Sequence, residues 1–315
     1  MPTLTQLEYF VAVCKLGHFG RAAKNCHVSQ PSLSIQIKNL EDELGAVLLD
    51  REVKPIRVTP VGQRIYEKAL DILSISEGLK DITEKSSEVL SGEFKLGIIP
   101  TVASSLVPRF LPEFIRKYPH VNIVLKEITT QECVSQLRSR DIDAAVLATP
   151  LSEKGIHETP LYYENFLLYS ASNHPYFGKK SIKSNMHFDT ESIWVLEEGH
   201  CFRNQMLNVC NLNEARSAER KVTFECGSLT TLVSVVDSMG GYSFIPQLYS
   251  GYLNPSQRKR LREFTSPKPT REISIVYAST VYREEIRKAL ANEIIESVKS
   301  LVSVKRRSNF EVVDF

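Results

Sequence analysis

The sequence predicts an α/β body preceded by an all-α winged helix-turn-helix domain, and three observations lead there. The first 45 residues carry helical apolar spacing, broken by a short turn and a serine-led restart. A long amphipathic stretch follows. Beyond residue 93, short apolar runs of strand character alternate with helical patterns, the arrangement of an α/β fold. At 315 residues the chain is long enough for two or three compact units with cores of their own.

Residues 5–16 place Leu7, Phe10, Val11 and Cys14 on helical spacing beside Val13, and Gly17 ends that helix. A short second helix covers residues 19–26. Ser29 then caps a third helix, with Gln30 and Pro31 in a first turn where proline's missing N–H costs nothing. Leu33, Ile37, Leu40 and Leu44 form its inner face, and Gly45 closes it. Helix, tight turn and capped second helix is helix-turn-helix geometry, in which the start of the second helix enters the major groove. Ser29, Gln30, Pro31, Ser32, Ser34, Gln36 and Lys38 stand at that start, and their polar groups suit base edges and phosphates. The run VLLDREVKPIRVTPVG alternates as a short hairpin would, a wing that carries Arg51, Lys54 and Arg57 toward a phosphate backbone. Charge alone does not identify a nucleic-acid partner. Residues 1–60 hold seven Lys/Arg against six Asp/Glu, and the whole chain is +2, so DNA binding rests on placement.

From residue 62 to about 90 the pattern lengthens into one helix, with Ile65, Ala69, Ile72, Leu73, Leu79 and Ile82 in an apolar stripe. A long helix with a narrow stripe buries it against a partner helix, so residues 61–92 read as a dimerisation linker, ended by Ser91 and Gly92. The remaining body, 93–315, contains FKLGII, VNIVLKEI, AAVLA, FLLYSA, SIWVLE, YSFIP and EISIVYA as strands. Helices are expected over 103–118, 131–138 and 283–302, and the alternation implies parallel sheets with ligands at the carboxyl ends of strands. The basic run at 305–307 begins a tail that reads as disordered.

Hydrophobic residues at 42% and charged residues at 24% are those of an ordinary soluble protein. No apolar run is long enough for a membrane span, and the first residues lack a basic segment followed by an apolar stretch, so a cytoplasmic location is expected. Six cysteines are spread too thinly for a structural disulfide framework, and the absence of CxxC speaks against a zinc ribbon or a thioredoxin-type dithiol. No metal and no cofactor are expected. Cys14, Cys26, Cys133 and Cys226 fall in apolar patterns and read as core packing. Cys201 and Cys210 are different. They lie nine positions apart in HCFRNQMLNVC, about 13.5 Å along a helix. A disulfide needs Cα atoms within about 7 Å, so a bond between them requires the segment to refold. With His200 and Arg203 alongside, the pair is a candidate redox switch.

LEYFVAVCKLGHFGRAAKNCHVSQPSLSIQIKNLEDELGAVLLDR followed by VTPVG resembles the DNA-binding domain of LysR-type transcriptional regulators, and the resemblance extends over essentially the whole chain. It implies a two-subdomain, periplasmic-binding-protein-like regulatory domain, with one subdomain at about 93–163 and 270–303 and the other at about 164–269. GIIPTVASSLVP, the EITT segment at 127–130, EEGHCFRNQMLNVC and PTREISIVY further resemble the hydrogen peroxide sensors of the OxyR type. That likeness implies Cys201 as the peroxidatic and Cys210 as the resolving cysteine. It also implies a peroxide pocket shaped by Thr101, Thr130 and His200, with Arg271 favouring the thiolate; Arg203 and Ser228 are added as candidates. The partners implied are promoter DNA, hydrogen peroxide, further copies of the chain in a dimer or tetramer, RNA polymerase and a thiol reductant. The protein would not be an enzyme. One departure concerns Ile35, where several family members carry a basic residue; contact there is van der Waals, with a thymine methyl as a fitting partner. A regulator answering a small organic effector, or a thiol peroxidase, remains the alternative.

Overall fold

The computed structural model describes residues 1–84, 90–184, 186–189, 191–197, 199–210, 226–278 and 283–313, and the chain divides into two compact units. In the first unit, helix α1 (Leu4–Leu16) begins at a capping box formed by Thr3 and Gln6 and ends at Gly17 in the left-handed conformation. Helix α2 (Phe19–Asn25) is capped by the His18 ring, which accepts from the Gly20 and Arg21 amides. Ser29 accepts from the Ser32 amide to start α3 (Gln30–Leu44), and left-handed Gly45 stops it. Strands β1 (Leu49–Asp50) and β2 (Arg57–Val58) pair antiparallel as the wing.

Helix α4 (Pro60–Glu84) follows the wing closely, because a Cβ at Gly62 would run into the Leu48 carbonyl oxygen. Phe10, Val13, Leu33, Ile37, Leu40 and Leu48 make the core of this unit, joined by Ala69 and Leu70 of α4. Two expectations shift. Leu44, at the last turn of α3, is exposed rather than part of the inner face. The α4 stripe also divides: Ile65 and Leu73 pack on the core while Ile72, Ile75 and Leu79 remain exposed. The Ile82 side chain and residues 85–89 of the expected linker lie outside the described part.

The second unit runs β3 (Gly92–Ile98), α5 (Pro100–Lys117), β4 (Val121–Glu127), α6 (Thr130–Arg138), β5 (Ala144–Thr149), β6 (Ile156–Ser170) and β7 (Ser181–Ile182). It continues with α7 (Cys201–Val209), α8 (Leu229–Met239), β8 (Tyr242–Pro246), a 3-10 helix (Gln247–Tyr252), α9 (Pro255–Arg258) and β9 (Leu261–Phe264). Strand β10 (Lys268–Ala278), α10 (Glu284–Val298) and β11 (Phe310–Val312) complete it. The sheet order is β4-β3-β5-β10-β6-β9-β7, with β11 beside β10 and β8 beside β6.

Parallel pairing holds for β4, β3 and β5, but β10 runs antiparallel to both β5 and β6, so the sheet is mixed. Alternating patterns locate strands without fixing their direction, and β10 re-enters this sheet after a long excursion of the chain. The run SIWVLE is not a strand either; Ile193 and Leu196 each form an isolated bridge, to Tyr242 and Cys226. Nor is the basic tail disordered as far as residue 313. Phe310 and Val312, which follow the basic run, supply the apolar side chains of β11 beside β10, and the Val313 carbonyl accepts from the buried Gln205 amide at 2.9 Å. Among the described residues no helix is long and apolar enough to cross a membrane.

Two cores result. One centres on Phe94, Leu96, Phe110, Val146, Ile273 and Leu290, the other on Phe166, Leu168, Phe202, Met206, Tyr242 and Phe244. Strand β6 links them, with Leu161 and Tyr162 in the first and Phe166 to Tyr169 in the second.

Candidate functional site

Helix α7 opens on Cys201 and is closed by Cys210 as its C-cap. Both are free thiols, and they belong to different cores: Cys201, 6% exposed, packs with the first, and Cys210, 5% exposed, with the second. Phe202, the next residue, already lies in the second core. The intervening helix spaces the two residues about 13.5 Å along its axis, so a bond between them requires α7 to unwind and one of the two thiols to leave its core.

The Cys201 environment is set by three elements. Burial is the dominant influence and raises the thiol above its ordinary value; the Thr130 hydroxyl, the charge of Arg271 and the amides of Phe202 and Cys201 pull the other way. Arg271 favours the thiolate, but desolvation is the larger effect. Thr130 is free for the role because its neighbour does the capping. Thr129 Oγ1 accepts from the Glu132 amide while the Glu132 carboxylate takes both the N–H and O–H of Thr129, leaving Thr130 Oγ1 buried without a hydrogen-bond partner.

Arg271, 1% exposed, reaches this place from β10. Its Nε donates to Glu164 Oε1 at 2.9 Å and Nη2 stands 2.7 Å from the same oxygen, and Nη1 and Nη2 donate to the Thr101 hydroxyl and carbonyl, each at 3.0 Å. The guanidinium lies 5.0 Å from the centre of the Phe202 ring. Arg271 therefore ties Thr101 at the start of α5 to the residue beside Cys201.

The other sequence candidates are placed as follows. His200 is buried and its Nε2 stands 3.5 Å from Glu197 Oε1. Arg203 donates to the Leu196 carbonyl at 3.1 Å, and Ser228 is exposed and caps α8 by accepting from the Thr231 amide. Thr101, Thr130 and Arg271 thus converge on Cys201, directly or through one another, while Arg203 and Ser228 have other partners. Sequence reading missed Glu164, Phe202 and Tyr242, whose hydroxyl acts on the Cys210 thiol. No spacing or motif marks them; they are recognisable only as contacts.

Cys133 lies fully buried in the same core as Cys201, and burial pushes its thiol up to about 12; Cys210 is likewise pushed up to about 12 by burial. Against an ordinary value near 9.0, the folded protein retains protons that the unfolded chain releases. Their contribution to stability is complete below that ordinary value and declines as pH climbs toward the folded one. Urea unfolding of the reduced protein is therefore expected to show falling stability between about pH 9 and pH 11. Substituting both residues with serine is expected to make that segment shallower, with Cys14, also pushed up to about 12 by burial, among the thiols that keep part of it, and a slope equally steep in the double variant would refute the assignment.

In the first unit, Ser29, Gln30, Pro31, Ser32 and Lys38 are exposed on the opening turns of α3, Ser34 and Gln36 are partly buried, and Ile35 is 59% exposed. In the wing, Lys54 is exposed, while Arg51 pairs with Glu41 and stacks over Phe19.

Family comparison agrees with this architecture. Residues 4–63 match the bacterial regulatory helix-turn-helix protein, lysR family, and residues 87–299 match the LysR substrate binding domain. A hydrogen peroxide-inducible genes activator of Haemophilus influenzae is 32% identical, over 95% of this chain and 98% of the relative. The DNA-binding transcriptional dual regulator OxyR of Escherichia coli is 34% identical, over 87% of this chain and 88% of that protein. Among solved structures, a full-length OxyR variant from Pseudomonas aeruginosa superposes with a TM-score of 0.76 at 33% identity, covering 97% of this chain and 100% of that one. A hydrogen peroxide-bound OxyR variant from Corynebacterium glutamicum gives 0.61 at 28% identity, covering 99% of each chain. With a capped recognition helix at one end and an α/β regulatory domain spanning most of its length, the chain belongs to the LysR-type DNA-binding transcriptional regulators and within them is OxyR-like.

Proposed function

We propose that this regulator senses hydrogen peroxide through Cys201 and transmits the signal by bonding it to Cys210. The observation that carries the reading is that one nine-residue helix holds the two thiols in separate cores. The Cys201 thiolate attacks one peroxide oxygen and the O–O bond breaks. The sulfur becomes a sulfenic acid and the departing oxygen leaves as water after protonation, with Thr130 and Arg271 stabilising the developing charges. Cys210 then displaces that hydroxyl, which also leaves as water, and the disulfide forms.

The bond is incompatible with α7 as it stands, so the reaction converts one packing of the regulatory domain into another. Closing a loop of this length is worth about 2–3 kcal/mol in the chain-entropy model. That is comparable to the roughly 1–3 kcal/mol of typical allosteric couplings. The exposed Ile72, Ile75 and Leu79 of α4 suit association with a second copy, and a homotetramer built from dimers would carry the changed geometry to promoter DNA. In this reading Gln30, Ser32, Ser34, Gln36 and Lys38 of α3 and Arg51 and Lys54 of the wing meet DNA, with Ser29 and Pro31 setting the start of α3. RNA polymerase responds to the altered footprint, and a cytoplasmic thiol reductant resets the bond.

Peptide mass spectrometry after sub-stoichiometric peroxide tests the proposal. A Cys201 to Cys210 linkage is the expected product. Linkages confined to other cysteines would overturn it.

A further inference from the structure

Glu164 and Arg271 are register partners on β6 and β10, where β6 passes from one core to the other. Both side chains are 1% exposed, and the ion pair between them is closed at 2.7 Å. Glu164 is not free to follow the guanidinium. Its second oxygen accepts from the Leu248 amide at 3.1 Å, which anchors the carboxylate to the 3-10 helix. Arg271 in turn is held by Thr101 on one side and stands over Phe202, the residue next to Cys201.

One buried cation therefore serves two anions. The Glu164 carboxylate is there in the resting protein, and the Cys201 thiolate appears only when the thiol ionises. In a site of low polarity the attraction of a guanidinium for a second anion is weakened by a carboxylate already bonded to it. Among the described residues, the polar and titratable groups acting on the Cys201 sulfur are Arg271 of β10 with Thr130 and Cys133 of α6; His200, preceding it, is turned to Glu197.

We propose that Glu164 is a positioning residue for the sensing cysteine: it pins Arg271 between Thr101 and Phe202 and takes up part of the guanidinium charge that would otherwise face the sulfur. Glu164 thereby sets the peroxide threshold, keeping the reduced protein a slow nucleophile until the oxidant accumulates. The inference rests on Cys201 being the reacting cysteine.

The test is the pH profile of Cys201 alkylation by iodoacetamide, followed by peptide mass spectrometry on the reduced full-length protein, for wild type, Glu164→Gln and Glu164→Asp. Removing the negative charge is expected to move the midpoint to lower pH and to raise the rate at pH 7 by about threefold or more, in proportion to the thiolate population. Glu164→Asp keeps the charge on a shorter arm and is expected to fall between the two. An unchanged or higher midpoint in Glu164→Gln overturns the proposal. If that variant does not unfold cooperatively, Glu164→Asp decides alone: a downward shift supports the role and an unchanged or upward one removes it. Iodoacetamide reads the thiolate without peroxide. Should Glu164→Gln shift the profile as stated while peroxide oxidises a different residue, the role of Glu164 stands and the peroxide assignment of Cys201 fails.

Discussion

Cys201→Ser is expected to hold peroxide-dependent transcription at its uninduced level while DNA affinity in the reduced state stays within about twofold of wild type, since no DNA-facing side chain is altered. The exchange replaces a sulfur by an oxygen in a site that is 6% exposed, so the fold should tolerate it at a cost of about 1 kcal/mol. The chemical consequence is far larger. A hydroxyl in that position is neither ionised at neutral pH nor able to form a sulfenic acid, so the signal has nowhere to start. Footprinting on a target promoter with and without peroxide checks this. Wild type should change its protected length on oxidation and the variant should not; a variant footprint that still responds would place the sensing thiol elsewhere.

Arg271→Gln is expected to be among the most destabilising single changes in the regulatory domain, by about 3–5 kcal/mol, because it leaves the buried Glu164 carboxylate without its cation. Thr101 loses two donors at the same time, and Phe202 loses the charge above its ring. The sign on the thiol follows from the same geometry. Arg271 pulls the Cys201 thiol down against burial, so its removal should slow alkylation of Cys201 at any given pH. Urea unfolding checks the stability arm through Arg271→Gln/Glu164→Gln, where neither partner is left as a lone buried charge. Recovery of most of the lost stability is the expected result, and a double variant as unstable as the single one would mean that the ion pair is not the reason.

The pattern of residues made the N-terminal unit legible almost element by element. The helices α1 and α3 are short, capped locally by Thr3 and Ser29, and stopped by Gly17 and Gly45, so their signals are contained in the residues themselves. The regulatory domain was legible in its elements but not in their directions. Nothing in EISIVYA says that it pairs antiparallel with strands formed more than a hundred residues earlier. The tail shows the converse: a run of three basic residues looked solvated, and the apolar pair that makes it a strand comes just after them.

The candidate site divides the same way. A separation of nine positions from one cysteine to the other is a sequence quantity, and with helical rise it already implied that a bond must cost a helix. Thr101, Thr130 and Arg271 were named through resemblance; in the structure Thr130 and Arg271 bear on the Cys201 thiol, and Thr101 is bonded to Arg271. That Arg271 is shared with Glu164, and that Cys201 and Cys210 sit in different cores, came only from packing. The reason is physical. Periodicity, caps and spacing are local and are encoded within a few residues, whereas the balance between burial and charge at Cys201 depends on side chains brought from β6, β10, α5 and α6. Only the closed tertiary structure puts them within reach of one sulfur.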